Sequence, residues 1–147
     1  MNLHYFKSYA KVNIGLQILN KRPDGYHNIN TLFQEIDLYD SIEIEKIEHG
    51  CNFVSNVNWL KNDDSNLCVT AWKELSKDFD IGGVSINLEK KIPIKSGLGG
   101  GSSNAATILK GISEIYSLEL PYSDLKSIAI RLGADVPFFL TGGLQSA

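Results

Sequence analysis

The first regular pattern along the chain has a period of two. Val12, Ile14, Leu16 and Ile18 fall on one face of an extended segment, and Lys11, Asn13, Gly15 and Gln17 on the other. This predicts a strand on which Lys11 and Asn13 point the same way, away from the apolar row. Arg22-Pro23-Asp24-Gly25 has the residues of a tight turn. A mixed strand comes next over Ile29–Ile36, then a clearer one over Ser41–Ile47, with Ile42 and Ile44 alternating against Glu43 and Glu45. A short strand is predicted over Phe53–Val57. The period then lengthens. Leu67, Ala71, Trp72 and Leu75 share one helical face, with Asp64 or Ser65 placed to cap it. Val84, Ile86 and Leu88 return to a period of two and end near Pro93. A helix from about Ser102 carries Ala105, Ile108, Leu109, Ile112 and Tyr116 on its apolar stripe. Ser123 can cap a further helix bearing Leu125, Ile128, Ala129 and Leu132, which Gly133 stops. The apolar run Val136–Leu140 predicts a buried strand. Strands come first and helices later, within one domain, so the fold class expected is α+β.

Composition narrows the function more than the fold. The 147 residues are ordinary for a globular chain, which excludes a disordered tail, a collagen-like repeat or a coiled coil. Fourteen basic and seventeen acidic residues give a net charge of -3. A protein that lives on a phosphate backbone usually carries a basic surplus or stripe, and none is present. No apolar run approaches the roughly 18 residues needed to cross a bilayer. The first residues lack the basic start and apolar stretch of a secretory signal, so a cytoplasmic location is expected. Cys51 and Cys68 lack metal-type spacing, and reduced thiols are expected of them. The sequence ends at Gly142-Gly143-Leu144-Gln145-Ser146-Ala147, directly after the last strand-like run, as an interrupted domain would.

The richest chemistry lies in Pro93-Ile94-Lys95-Ser96-Gly97-Leu98-Gly99-Gly100-Gly101-Ser102-Ser103-Asn104-Ala105-Ala106. Glycines let backbone N–H groups approach an anion closely, and the helix after them adds its unpaired N–H groups and the positive end of its dipole. Ser102 and Ser103 stand at the helix start, where their hydroxyls could cap it or reach a phosphate or its Mg²⁺. A phosphate cradle is the physical expectation. Two common cradles do not fit. A Walker A loop is absent because Lys95-Ser96 precedes the glycines and does not follow a G-x-x-x-x-G run, and the sixth position of a G-x-G-x-x-G fingerprint would be Ser102.

This loop resembles the signature of the small-molecule kinases named after galactokinase, homoserine kinase, mevalonate kinase and phosphomevalonate kinase. Ala10-Lys11-Val12-Asn13-Ile14, Arg22-Pro23-Asp24-Gly25-Tyr26-His27 and Gly133-Ala134-Asp135-Val136-Pro137-Phe138-Phe139 extend the resemblance from about Ser8 to Gly143. It implies an N-terminal ATP-binding domain over residues 1–147, with a fold like the second domain of ribosomal protein S5. It also implies ATP and Mg²⁺ as cofactors, with metal ligands unassigned, and phosphoryl transfer to a hydroxyl. The Asp24-Gly25-Tyr26-His27 and Gly133-Ala134-Asp135-Val136-Pro137 elements match the branch that acts on a cytidine diphosphate-linked methylerythritol, a small-molecule substrate, with no nucleic acid or membrane partner.

Residue by residue, the resemblance makes Asp135 the catalytic base and Lys11 its charged partner. Asn13 and His27 would bond the substrate, and Tyr26 would stack on its cytosine. Pro93, Ile94, Lys95, Ser96, Gly97, Leu98, Gly99, Gly100, Gly101, Ser102 and Ser103 would wrap the ATP phosphates, with Lys90 and Asn66 near the adenosine end. Other members of the family continue into a C-terminal domain. Its absence here leads to the expectation that these residues alone are poorly active, with a cleft open to water. Another kinase of the same family, acting on homoserine or a mevalonate derivative, stays an alternative, as does a non-enzymatic module. The oligomeric state is left open.

Overall fold

β1 (Leu3–Lys21) and β2 (His27–Ile47) pair antiparallel, from Leu3 opposite Glu45 to Lys21 opposite His27. The computed structural model describes residues 2–21, 23–24 and 27–146, with side chains at all of these except 16–20 and 27–30. β3 (Cys51–Ser55) and β4 (Gly83–Glu89) are parallel neighbours, and parallel neighbours need a crossover, which α1 (Leu67–Asp78) supplies. The sheet order is β1-β2-β4-β3, and a short β5 (Leu144–Ser146) pairs with residues 32–34 of β2.

The period-two patterns become the sheet side of the core. Ile42 and Ile44 of β2 and Val84, Ile86 and Leu88 of β4 are all at most 1% exposed. Opposite them, α2 (Gly100–Ile115) buries Ala105, Ala106, Ile108, Leu109 and Ile112 completely. Each large aliphatic side chain so buried contributes roughly 1.5–3 kcal/mol. α1 adds Val69, Ala71 and Leu75 to the same cluster, and α3 (Tyr122–Leu132) adds Ile128 and Ala129.

One irregularity determines how the site is built. The β1–β2 register shifts between Tyr9 and Lys11, and the neighbours Ala10 and Lys11 are both buried. Residues 36–38 of β2 stand opposite Ala10 alone, and a bulge of this kind disrupts the ladder and re-aims the side chains beside it. Lys11 is turned inward, whereas Asn13 and Ile14 are exposed and Val12 is half-buried, so neither row of this segment as a whole meets the interior. Lys11 and Asn13 do share a face. The side chains of Leu16 and Ile18 lie outside the described residues.

Several element boundaries differ from the sequence pattern. β2 is one strand where the pattern gives two, because a buried Asp40 interrupts the apolar alternation. Asn66 caps α1, its side chain accepting from the Cys68 N–H at 2.9 Å, while Ser65 turns back to Asp63. α2 begins at Gly100, two residues before the expected start. Pro121, not Ser123, precedes α3, and its carbonyl accepts from Asp124 and Leu125. Val136–Leu140 is not a strand. Pro137 has helical backbone angles and starts α4 (Phe138–Thr141), whose three apolar residues are all buried, so no alternation was there to find. Both cysteines are free, Cys51 half-buried and Cys68 buried.

Candidate nucleotide cleft and the two sides of the glycine loop

A cleft of about 390 Å³ opens between α1, the end of β4 and the start of α2. Trp59, Leu60, Leu67, Cys68 and Leu88 give its lining an apolar part. The segment before and into α2 supplies the rest, without a gap from Pro93 through Ser102. Gly99 is the residue before α2, in the left-handed conformation at φ 72°, and no side chain caps the helix. A Cβ there would lie 2.7 Å from the Phe139 ring, so both conformation and space require glycine. The first intrahelical bond runs from the Ser103 N–H to the Gly99 carbonyl at 2.9 Å. The N–H groups of Gly100, Gly101 and Ser102 therefore have no acceptor within the helix and stand at the cleft wall. With the positive end of the helix dipole behind them, they have the arrangement that favours a bound anion.

Polar groups behind the cleft are paired among themselves. Asp40 is fully buried and accepts four bonds: from the Lys91 and Ile92 N–H groups at 2.6 and 2.8 Å, from Lys90 Nζ at 2.7 Å and from Asn104 Nδ2 at 3.0 Å. Lys90 also donates to Asn104 Oδ1 at 2.8 Å, and Asn104 donates to Ser8 at 2.9 Å. Removing one member of such a buried pair typically costs about 3–5 kcal/mol, because it strands the other charge. Lys90 lines the cleft from inside this network, with its side chain only 7% exposed.

Ser103 departs from expectation. Its hydroxyl is turned away from the cleft and bonds Ser8 at 2.8 Å, at 1% exposure. Asn66 lines the cleft, but as the α1 cap, with its amide donating to the Lys61 carbonyl. Lys95 is exposed, with φ 54°. Burial pushes the Cys68 thiol up to about 12 and the Cys51 thiol to about 11, which keeps both neutral at ordinary pH.

The loop has a second side. The Lys11 N–H donates to the Leu98 carbonyl at 2.9 Å, and its ammonium donates to the Gly97 carbonyl at 2.9 Å and to Asn13 Oδ1 at 2.6 Å. That ammonium also lies 4.5 Å from the centroid of Phe33. Asp135, half-buried in the turn between α3 and α4, comes within no ion-pair distance of Lys11. The Lys11 ammonium is held instead by the Gly97 carbonyl and Asn13. Tyr26 and the side chain of His27 lie outside the described residues. Asp40 and Ser8 carry no motif that a reading of the sequence would single out, and Asn104, within the glycine-rich stretch, was assigned no role. A lone Asp between two strand-like runs was the only signal.

Comparison with known proteins bears on both sides. Residues 66–143 match the family model described as the GHMP kinases N terminal domain. This chain belongs to the GHMP kinases. Among curated GHMP relatives, the 4-diphosphocytidyl-2-C-methyl-D-erythritol kinase of Clostridium botulinum (strain Eklund 17B / Type B) is 42% identical over 138 residues. The enzyme of that name from Caldicellulosiruptor bescii is 46% identical over 139. Each alignment covers 93% of this chain and 49% of the relative, so the chain spans about half the length of the curated relatives it matches. A crystal structure of 4-(cytidine 5'-diphospho)-2C-methyl-D-erythritol kinase superposes with a TM-score of 0.84 at 39% identity, over 98% of this chain and 51% of that one. The mevalonate kinase of Methanococcus jannaschii, at 22% identity and a TM-score of 0.73, shares the fold.

Proposed function

We propose that this chain is the nucleotide-binding part of a kinase that transfers the γ-phosphoryl group of ATP to the 2-hydroxyl of 4-diphosphocytidyl-2-C-methyl-D-erythritol, a cytoplasmic step of the non-mevalonate route to isoprenoids. The observation that carries the phosphate half of this reading is the uncapped start of α2, with three free N–H groups at the cleft wall. The apolar side chains of Trp59, Leu60 and Leu88 in the cleft lining suit a purine ring. The names of the relatives support the choice of acceptor.

In this reading the chain positions and neutralises more than it reacts. Gly100, Gly101 and Ser102 hold phosphate oxygens by their N–H groups. Lys11, fixed by the Gly97 carbonyl and Asn13, places a positive charge on the far side of the same loop, where the acceptor hydroxyl would approach. Asp135 accepts the proton of that hydroxyl, and Asn13, His27 and Tyr26 bind the acceptor. No group of three or more His, Cys, Asp or Glu among the described residues could hold a metal, so Mg²⁺ fits as an ion brought in on the phosphates of ATP, whose charge it offsets.

The test is phosphoryl transfer from labelled ATP to 4-diphosphocytidyl-2-C-methyl-D-erythritol, with homoserine and mevalonate as competing acceptors. The chain alone and a fusion to the remaining half of the Caldicellulosiruptor relative are compared. Transfer to the cytidine compound by the fusion, with little by the chain alone, is expected. Transfer only to homoserine or mevalonate would overturn the assignment of the acceptor.

A further inference from the structure

Residues 93–99 form a loop with little bonding of its own. Lys95, Gly97 and Gly99 all have positive φ, and within the loop the Ser96 hydroxyl bonds the Pro93 carbonyl and Ser103 closes the first helical turn. Lys11 holds the middle of the loop at the Gly97 and Leu98 carbonyls, and the two ends are held apart from it. Both ends meet at one side chain. Asp40 Oδ1 takes the N–H groups of Lys91 and Ile92, the last residues before Pro93, while Oδ2 takes Asn104 of α2 and the Lys90 ammonium that also bonds Asn104. A carboxylate is the side chain able to accept four such donors. A buried ion pair adds little net stability over a well-packed apolar replacement, so stability alone is a weak reason for this one.

We propose that Asp40 is a positioning residue for the nucleotide cradle: it fixes the start of the glycine loop against the first turns of α2, and so sets where the N–H groups of Gly100, Gly101 and Ser102 point. The inference rests on reading that helix start as a phosphate site. It places the residue in β2, with no contact to the ligand. Loss of its geometry weakens the hold on phosphate and spares the hold on the base.

The test measures binding of ATP and of adenosine to the chain by equilibrium dialysis, with Asp40→Asn beside a core variant, Ile112→Val, as a control for lost stability. Asp40→Asn is expected to weaken ATP about tenfold and adenosine less than about twofold. Ile112→Val is expected to change neither. An unchanged ATP affinity in Asp40→Asn, or an equal fall for both ligands, overturns the proposal. If Asp40→Asn does not fold, Asn104→Ala removes one arm only; an ATP loss of about threefold with adenosine spared supports the proposal, and no loss overturns it. Failure of the unaltered chain to bind ATP more tightly than adenosine would instead overturn the phosphate-site reading itself.

Discussion

The two sides of the glycine loop are built to different standards. On the cleft side, the polar groups behind the wall are bonded to one another, and the exposed N–H groups are held by a helix packed on the sheet. On the Lys11 side, the charge is anchored by a carbonyl and an amide, and Asp135 stands half-buried and apart from it. Under the proposed function, the difference separates binding from chemistry. A site that holds phosphates needs rigid donors in advance. A site that moves a proton needs two groups brought into reach of a substrate, and that geometry tightens when the substrate arrives.

Substitutions on the two sides should therefore fail in different ways. The largest effect is expected from Asp135→Asn, which should lower the turnover of the fusion enzyme by about 10²–10⁴ while ATP affinity stays within about twofold. Unchanged turnover would remove the assignment of the base. Lys11→Met should come next, with a turnover loss of about 10² and little change in ATP binding, measured in the same assay. Gly99→Val should do the reverse. Its side chain meets Phe139 and its φ of 72° is costly for a branched residue, so ATP binding by calorimetry should weaken about tenfold or more. Asn66→Ala should cost about 1 kcal/mol in urea denaturation through the lost α1 cap.

The smallest effect expected is one of pH. Burial raises the Cys68 and Cys51 thiols from 9.0 to about 12 and about 11. The folded state then keeps protons that the unfolded chain releases, so their contribution is fully present below pH 9 and declines as pH rises above it. Urea midpoints from pH 8 to 10.5 should fall, and serine at both positions should flatten the fall.

The glycine loop, the α2 stripe and the β4 alternation were legible in the sequence because each depends on local pattern alone. The inward turn of Lys11 was not, since it depends on a bulge set by the pairing of β1 with β2. Phe138-Phe139-Leu140 read as a strand because a helix of one turn buried on all sides has no period. The network on Asp40 was hidden for a third reason: its members lie up to 96 residues apart, as Ser8 and Asn104 do. What sequence pattern misses here is the network that holds the cradle in place.

Phosphate binding at the first turn of α2 is tested most directly by titrating ¹⁵N-labelled chain with ATP and monitoring backbone amide shifts. The largest shifts are expected at Gly100, Gly101 and Ser102, with adenosine moving the Trp59 and Leu60 amides and leaving those three nearly still. Shifts of equal size from both ligands at α2, or ATP shifts confined elsewhere, would contradict it.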